Sequence, residues 1–224
     1  MTENKLNSPI SLWGKIQKML REVLIIVFGV TVSIWFANWN DKRKELAEVK
    51  EFLADIKQDL TQDTAYIRLR IDRIKPYIKD YDYALSLTSQ QLDSLKRVKT
   101  NVNLKFDLTP TQLNEGNYQG FKSSGKIGFI DDKNLKKKIL EYYEQVIPSL
   151  KDIEKEHLDR QKVLMTTFLS SEYSEKSTKE TFLNPSVKAE LNNAKLFGNI
   201  VIQFSEMSVK QADTLLLQIN KVLK

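Results

Sequence analysis

The sequence predicts an all-α protein: one N-terminal transmembrane helix, then an antiparallel bundle of three or four long helices. Three observations lead there. An uncharged apolar run occupies residues 23–37. Beyond it, apolar residues recur in steps of three and four. Gly and Pro number only 7 and 5 among 224 residues, too few breakers for the many turns of a β fold. The order read from the chain is a short tail with an interfacial helix over 1–22, the membrane helix over 23–39, and a helical-bundle domain over 40–224.

In the tail, Leu12, Trp13, Ile16, Met19 and Leu20 fall at helical spacing, with Lys15 and Lys18 on the other side. That pattern predicts a short helix lying in the lipid interface. The run Val23 to Ala37 reads VLIIVFGVTVSIWFA, with only Thr31 and Ser33 polar. Counted to Trp39 it is about 17 residues, or roughly 25 Å at 1.5 Å per residue, the short end of what spans a hydrocarbon core. Trp13 and Arg21 on one side, and Trp35 and Trp39 on the other, supply interface anchors. A buried core helix would show a polar stripe, and this run is apolar all round for four turns. A cleaved signal peptide is the other reading. Its small-x-small site is absent where Phe36-Ala37-Asn38-Trp39 stands.

Lys5, Lys15, Lys18 and Arg21 before the span balance Lys42, Arg43, Lys44 and Lys50 after it, so charge bias does not orient it. An uncleaved anchor with a short tail and a long following domain favours the N-terminus inside and the domain exported, across a bacterial inner membrane. Gly29, Ser33 and Ala37 recur every four residues, and Glu22 extends their face backward. Small residues so placed let two membrane helices approach closely, which predicts a homodimer through this face.

Glu22, Gly29 and Asn38-Trp39-Asn40 together resemble the N-terminal signature of an uncharacterised bacterial family of single-span membrane proteins. A second similarity lies at Tyr118-Gln-Gly-Phe-Lys-Ser-Ser-Gly-Lys-Ile-Gly-Phe-Ile130, with Leu135 and Tyr142-Tyr143. The resemblance implies an anchor plus a helical domain, and no activity.

Leu46, Val49, Leu53, Ile56, Leu60, Ile67, Ile71, Ile74 and Ile78 form a heptad-like seam, in which Asp63 is the one skipped position. Pro76 is expected to end or kink this helix near Ile74. Val102, Leu104, Phe106 and Leu108 alternate with polar residues, and without a partner strand they predict a loop packed over the bundle. Thr109-Pro110 is a helix-start signal, Gly116-Asn117 a competing one, and Gly125 a stop. Asp131 or Asp132 then caps a helix with Leu135, Ile139, Tyr142, Tyr143, Val146, Leu150, Ile153, His157, Leu164 and Phe168 on its face, kinked at Pro148. Residues 170–181 read as polar and irregular. Asn184-Pro185 opens a last helix that runs almost to Lys224.

Little in this pattern supports catalysis. Cys is absent and His157 is the sole imidazole, which excludes thiol chemistry and multi-histidine metal sites. His157 on the apolar seam reads as a hydrogen-bonded core residue. Asp55, Asp59 and Asp63 share a helix face and read as a solvated row, a cation site being the rival. Ser123-Ser124-Gly125 reads as a helix stop, and Asp131-Asp132 as a cap. Lys133, Lys136, Lys137 and Lys138 are interspersed with acids, so no nucleic-acid partner is expected. Tyrosines 77, 81, 83, 118, 142 and 143 read as core, with a pocket as the rival.

No catalytic, cofactor-binding or metal residue is expected. The expected function is therefore non-enzymatic: a single-pass membrane protein whose helical domain contacts an unidentified protein partner, for assembly, scaffolding or an accessory role. The alternative is a membrane-anchored sensor that binds a small molecule or peptide between helices.

Overall fold

A computed structural model describes residues 12–97, 104–174 and 178–224. Every regular element among them is helical. The chain divides into two compact units at Glu48/Val49. Helix α1 (Leu12–Ser86) supplies the first unit's described residues and continues into the second. The second unit adds α2 (Ser89–Arg97), α3 (Gly116–Ser123), α4 (Lys133–Glu141), α5 (Ile147–Ser174), α6 (Thr178–Leu183) and α7 (Pro185–Leu223).

Several helix ends follow local chemistry. The Asp132 carboxylate accepts from the Asn134 and Leu135 N–H groups and starts α4. Asn184 does the same for Ser186, with Pro185 at the first helical position of α7. Gly125 takes φ +75°, which a side chain would resist, between α3 and a 3₁₀ turn at Lys126–Phe129. A π turn at Tyr142–Val146 joins α4 to α5, and the Ile147 N–H donates to the Tyr142 carbonyl. Pro148 follows directly. It has no N–H for the carbonyl four residues back, and its ring crowds that turn; the wider π turn lies where that conflict falls.

Four expectations are corrected. Pro76 does not end α1, which continues to Ser86; Ile74, Ile78 and Tyr81 are buried on either side of it and hold the helix, while Pro76 itself faces out. Thr109-Pro110 starts no helix, because the carbonyls of both residues and the Thr111 hydroxyl are already engaged with α1 and α5 side chains. The chain stays irregular from 104 to 115, and the competing start at Gly116 prevails. Residues 170–174 and 178–181 are helical rather than irregular, held by buried Ser171, Thr181 and Phe182. Residues 101–103 and 175–177 of the two expected loops lie outside the described residues. The fourth correction concerns direction. Arg70 meets Glu154, and Tyr81 meets Gln161, so α1 and α5 run parallel. Arg68–Asp213, Lys75–Glu206 and Asp82–Lys195 make α7 antiparallel to α1. Segment 104–117 is what permits the parallel pair, since it carries the chain back along α1.

Two aromatic-rich cores lie at the ends of this unit. One gathers Phe52, Leu53, Ile56 and Leu60 with Tyr118, Tyr142, Tyr143 and Ile219. The other gathers Tyr81 and Leu87 with Leu164, Phe168, Phe182 and Leu191. From one core to the other, Ala194, Gly198, Ser205, Ser208 and Ala212 are buried on α7 at steps of three, four and seven. These small side chains allow α5 and α7 to pack closely. A Cβ on Gly198 would lie 3.1 Å from Ile78 Cδ1 and 3.7 Å from His157 Cε1.

Candidate functional site

In the first unit every residue from Trp13 to Asp41 is exposed, including Glu22, Gly29, Ser33 and Ala37 and the anchors Trp13, Arg21, Trp35 and Trp39. No atom lies within 4 Å of a Cβ built on Gly29. The Ser33 hydroxyl donates to the Gly29 carbonyl at 2.8 Å, and Thr31 to Val27 at 2.7 Å. Both hydroxyls are thus satisfied within the helix. The Arg43 guanidinium sits 4.9 Å from the centre of the Trp39 ring, and Phe36 packs on the same ring. Of the helices in the described chain, α1 alone is long and apolar enough to cross a membrane, and nothing in its most apolar window is buried.

The second unit contains a polar site that the sequence did not reveal. It forms where the extended strap, residues 104–117, lies between α1 and α5. Arg70 is almost wholly buried. One of its terminal nitrogens donates to the Thr109 carbonyl at 2.7 Å and to the Thr111 hydroxyl. Its other terminal nitrogen lies 3.6 Å from Asp107, and its Nε lies 3.4 Å from Glu154. The Thr111 hydroxyl donates to Glu154. His157 Nε2 stands 3.6 Å from the same Asp107 oxygen that faces Arg70. The Tyr81 hydroxyl lies 2.7 Å from both the Lys105 carbonyl and Gln161 Oε1, and the Asp107 N–H donates to Gln161.

The electrostatics follow from that geometry. Burial alone would raise Asp107, but His157, the Arg70 guanidinium and the Thr109 N–H outweigh it and hold the carboxyl below its usual range. Burial wins at Glu154, which is raised despite Arg70 and Thr111. His157 is buried on the seam as expected, but the expected hydrogen bond is not made: neither ring nitrogen has a partner within hydrogen-bond distance, and Asp107 stays at 3.6 Å as a charge partner. That partner comes from the strap, 50 residues upstream in the sequence.

Further along, the strap is held by the acid row. Both Asp63 oxygens accept from the Asn114 N–H at 3.1 Å, and one also accepts from its side-chain amide at 2.8 Å. Asp59 accepts from the Asn117 amide at 3.0 Å. The expected solvated row is corrected here: Asp55 is exposed, but Asp59 and Asp63 are buried, because the strap covers them. Burial raises both carboxyls, Asp63 to about 6 against the opposing Asn114 bonds. Among the described residues, no three His, Cys, Asp or Glu side chains are grouped to hold a metal ion.

Next to this row Tyr118, Tyr142 and Tyr143 converge. Tyr118 stacks on Tyr143 with ring centres 4.4 Å apart, and Tyr142 meets Tyr143 edge-on at 5.2 Å. The Tyr118 hydroxyl donates to Glu144, which Lys122 also holds. Tyr142 and Tyr143 have buried hydroxyls without a hydrogen-bond partner, and burial pushes both phenols well above the ordinary range. They lie in the π turn, so the widened turn carries the tyrosine pair.

The model of a family of unknown function, DUF6090, matches residues 22–206. The chain belongs to this DUF6090 family. The match begins at Glu22, the first residue of the N-terminal signature, and takes in the tyrosine cluster and the whole strap. No curated protein and no solved structure matches the chain. In this DUF6090 chain an apolar helix precedes a helical unit whose apolar cores enclose a buried polar site.

Proposed function

We propose that this DUF6090 chain is a single-pass membrane protein whose helical domain works by contact, without turnover. The observation that carries the reading is the apolar run of residues 23–37, which the fold leaves wholly exposed along α1. Apolar surface left in water forgoes roughly 25 cal/mol per Å² of burial free energy, and a lipid environment supplies that burial. In this reading Trp13, Arg21, Trp35 and Trp39 sit at the two interfaces. The face of Glu22, Gly29, Ser33 and Ala37 meets a second copy of the chain, and the domain binds a protein partner. The protein resides in the bacterial inner membrane, N-terminus inside and domain outside the cytoplasm. Extraction of membranes with alkaline carbonate tests the anchor. The full chain is expected to stay in the pellet, and its release into the supernatant without detergent overturns the reading.

A second reading, a membrane-anchored sensor signalling through a partner, is favoured by one observation. The strap is held to the bundle by buried polar contacts rather than by apolar packing alone, so its seating responds to charge.

A further inference from the structure

We propose that strap 104–117 is a proton-linked clasp: its docking onto α1 takes up a proton at Asp63, so acidification seats it more firmly and deprotonation loosens its 113–117 end.

The argument begins with the environment of Asp63. It occupies the skipped position of the apolar seam, and it is almost fully buried. Its neighbour on α1 one turn back is Asp59, also buried. The strap and the start of α3 bring Asn114, Glu115 and Asn117 over it. The π turn brings Tyr142 and Tyr143. From α7, Asp213 faces Tyr142, and it is ion-paired with Arg68. From α5, Lys151 pairs with Glu115. Among the described residues no basic side chain forms an ion pair with Asp59 or Asp63. Three carboxyl groups therefore converge around neutral amides and phenols, while Lys151 and Arg68 pair with Glu115 and Asp213 instead. Taking Asp63 out of water next to Asp59 and Glu115 disfavours its charged form.

The strap contributes to that burial through the Asn114 clamp, which engages both Asp63 oxygens, with Leu113 beside it packed against two core clusters. With the strap lifted, Asp63 returns toward the ordinary 3.8; with it seated, the carboxyl titrates near 6. A group raised in the closed state stabilises that state at low pH, and the contribution fades as pH rises through the closed-state value. With those two values the closing equilibrium changes about tenfold between pH 5 and pH 7.5. The Asp107 end, held by Arg70 and His157, titrates in the opposite sense. Glu154, which accepts from Thr111 at that same end, is raised by burial and offsets Asp107 there, so the loosening tied to Asp63 falls on 113–117.

The test is amide hydrogen exchange on the full chain in detergent micelles, followed over 111–118 at pH 5 and pH 7.5 after correction for intrinsic rates. Protection in the wild type is expected to be about tenfold greater at pH 5. Asp63→Asn, which keeps the shape and removes the titration, is expected to flatten that difference. A wild type with equal protection at both pH values, or an equal rise in Asp63→Asn, overturns the proposal. Should Asp63→Asn fail to fold, Asp59→Asn serves: removing the adjacent charge shifts the protection rise to lower pH, and an unmoved rise counts against the clasp. The carboxyl carbon signal of Asp63 gives a direct reading. A midpoint near 6 supports the clasp, and one at or below 4 overturns it.

Discussion

Replacing Arg70 with methionine separates a buried ionic network from ordinary surface ion pairs. Methionine keeps much of the length and apolar stem of arginine, so the packing loss is small. The charge loss is not. Asp107 and Glu154, both buried, lose the guanidinium at 3.6 and 3.4 Å, and the Thr109 carbonyl loses its 2.7 Å donor. Breaking one side of a buried ion pair costs about 3–5 kcal/mol. For a chain of this size 1 kcal/mol moves the melting temperature by about 2–4 °C, so Arg70→Met should melt about 6–20 °C lower at pH 7. The control is Arg68→Met, whose partner Asp213 is 2.7 Å away but whose pair is half exposed. An exposed pair is worth about 0–1 kcal/mol, and that melting point should move by less than about 4 °C. Thermal unfolding followed by far-ultraviolet circular dichroism in detergent reads both. If Arg70→Met falls no further than Arg68→Met, the network does not hold the strap.

Asp107→Asn should remove a pH dependence: the depressed carboxyl stabilises the fold above about pH 4 and loses that contribution as pH falls further, so wild type and variant melting curves should converge in acid. Gly198→Ala should be nearly neutral, within about 1 kcal/mol, because the gain in helix propensity offsets a 3.1 Å approach to the flexible end of Ile78. Gly198→Leu should cost about 1–3 kcal/mol by urea unfolding, since its added carbons enter space held by Ile78 and His157. In native membranes, cysteine at position 33 should crosslink more readily than cysteine at 31 or 35, and Gly29→Ile should abolish that difference. Equal crosslinking at all three positions would show that the face does not pair.

Much of the helical frame was legible because its signals are local. Asn184-Pro185, Asp132 and Gly125 act on their own neighbours, and the structure uses each where the sequence placed it. The apolar run at 23–37 is equally local. Pro76 shows the limit of such signals: a breaker loses to a helix whose flanking residues are buried. The strap was illegible because its partners are remote. Asp63 meets Asn114 and Arg70 meets Thr109, 51 and 39 positions away, and no periodicity links them. One clue did stand in the sequence: Asp63 interrupts an otherwise unbroken apolar seam, and an acid at a seam position is a buried acid in want of a donor.

The central claim is a single span between a tail and a domain on opposite sides of a membrane. Because the chain has no cysteine, Lys15→Cys and Lys210→Cys each provide one reactive site, and both positions are exposed. The measurement is labelling of intact cells, stripped of outer membrane, with a membrane-impermeant maleimide. The account predicts labelling at position 210 and protection at position 15 until the cells are permeabilised. Labelling at both positions, or at neither, in intact cells would contradict a single span, and labelling at 15 alone would reverse its direction.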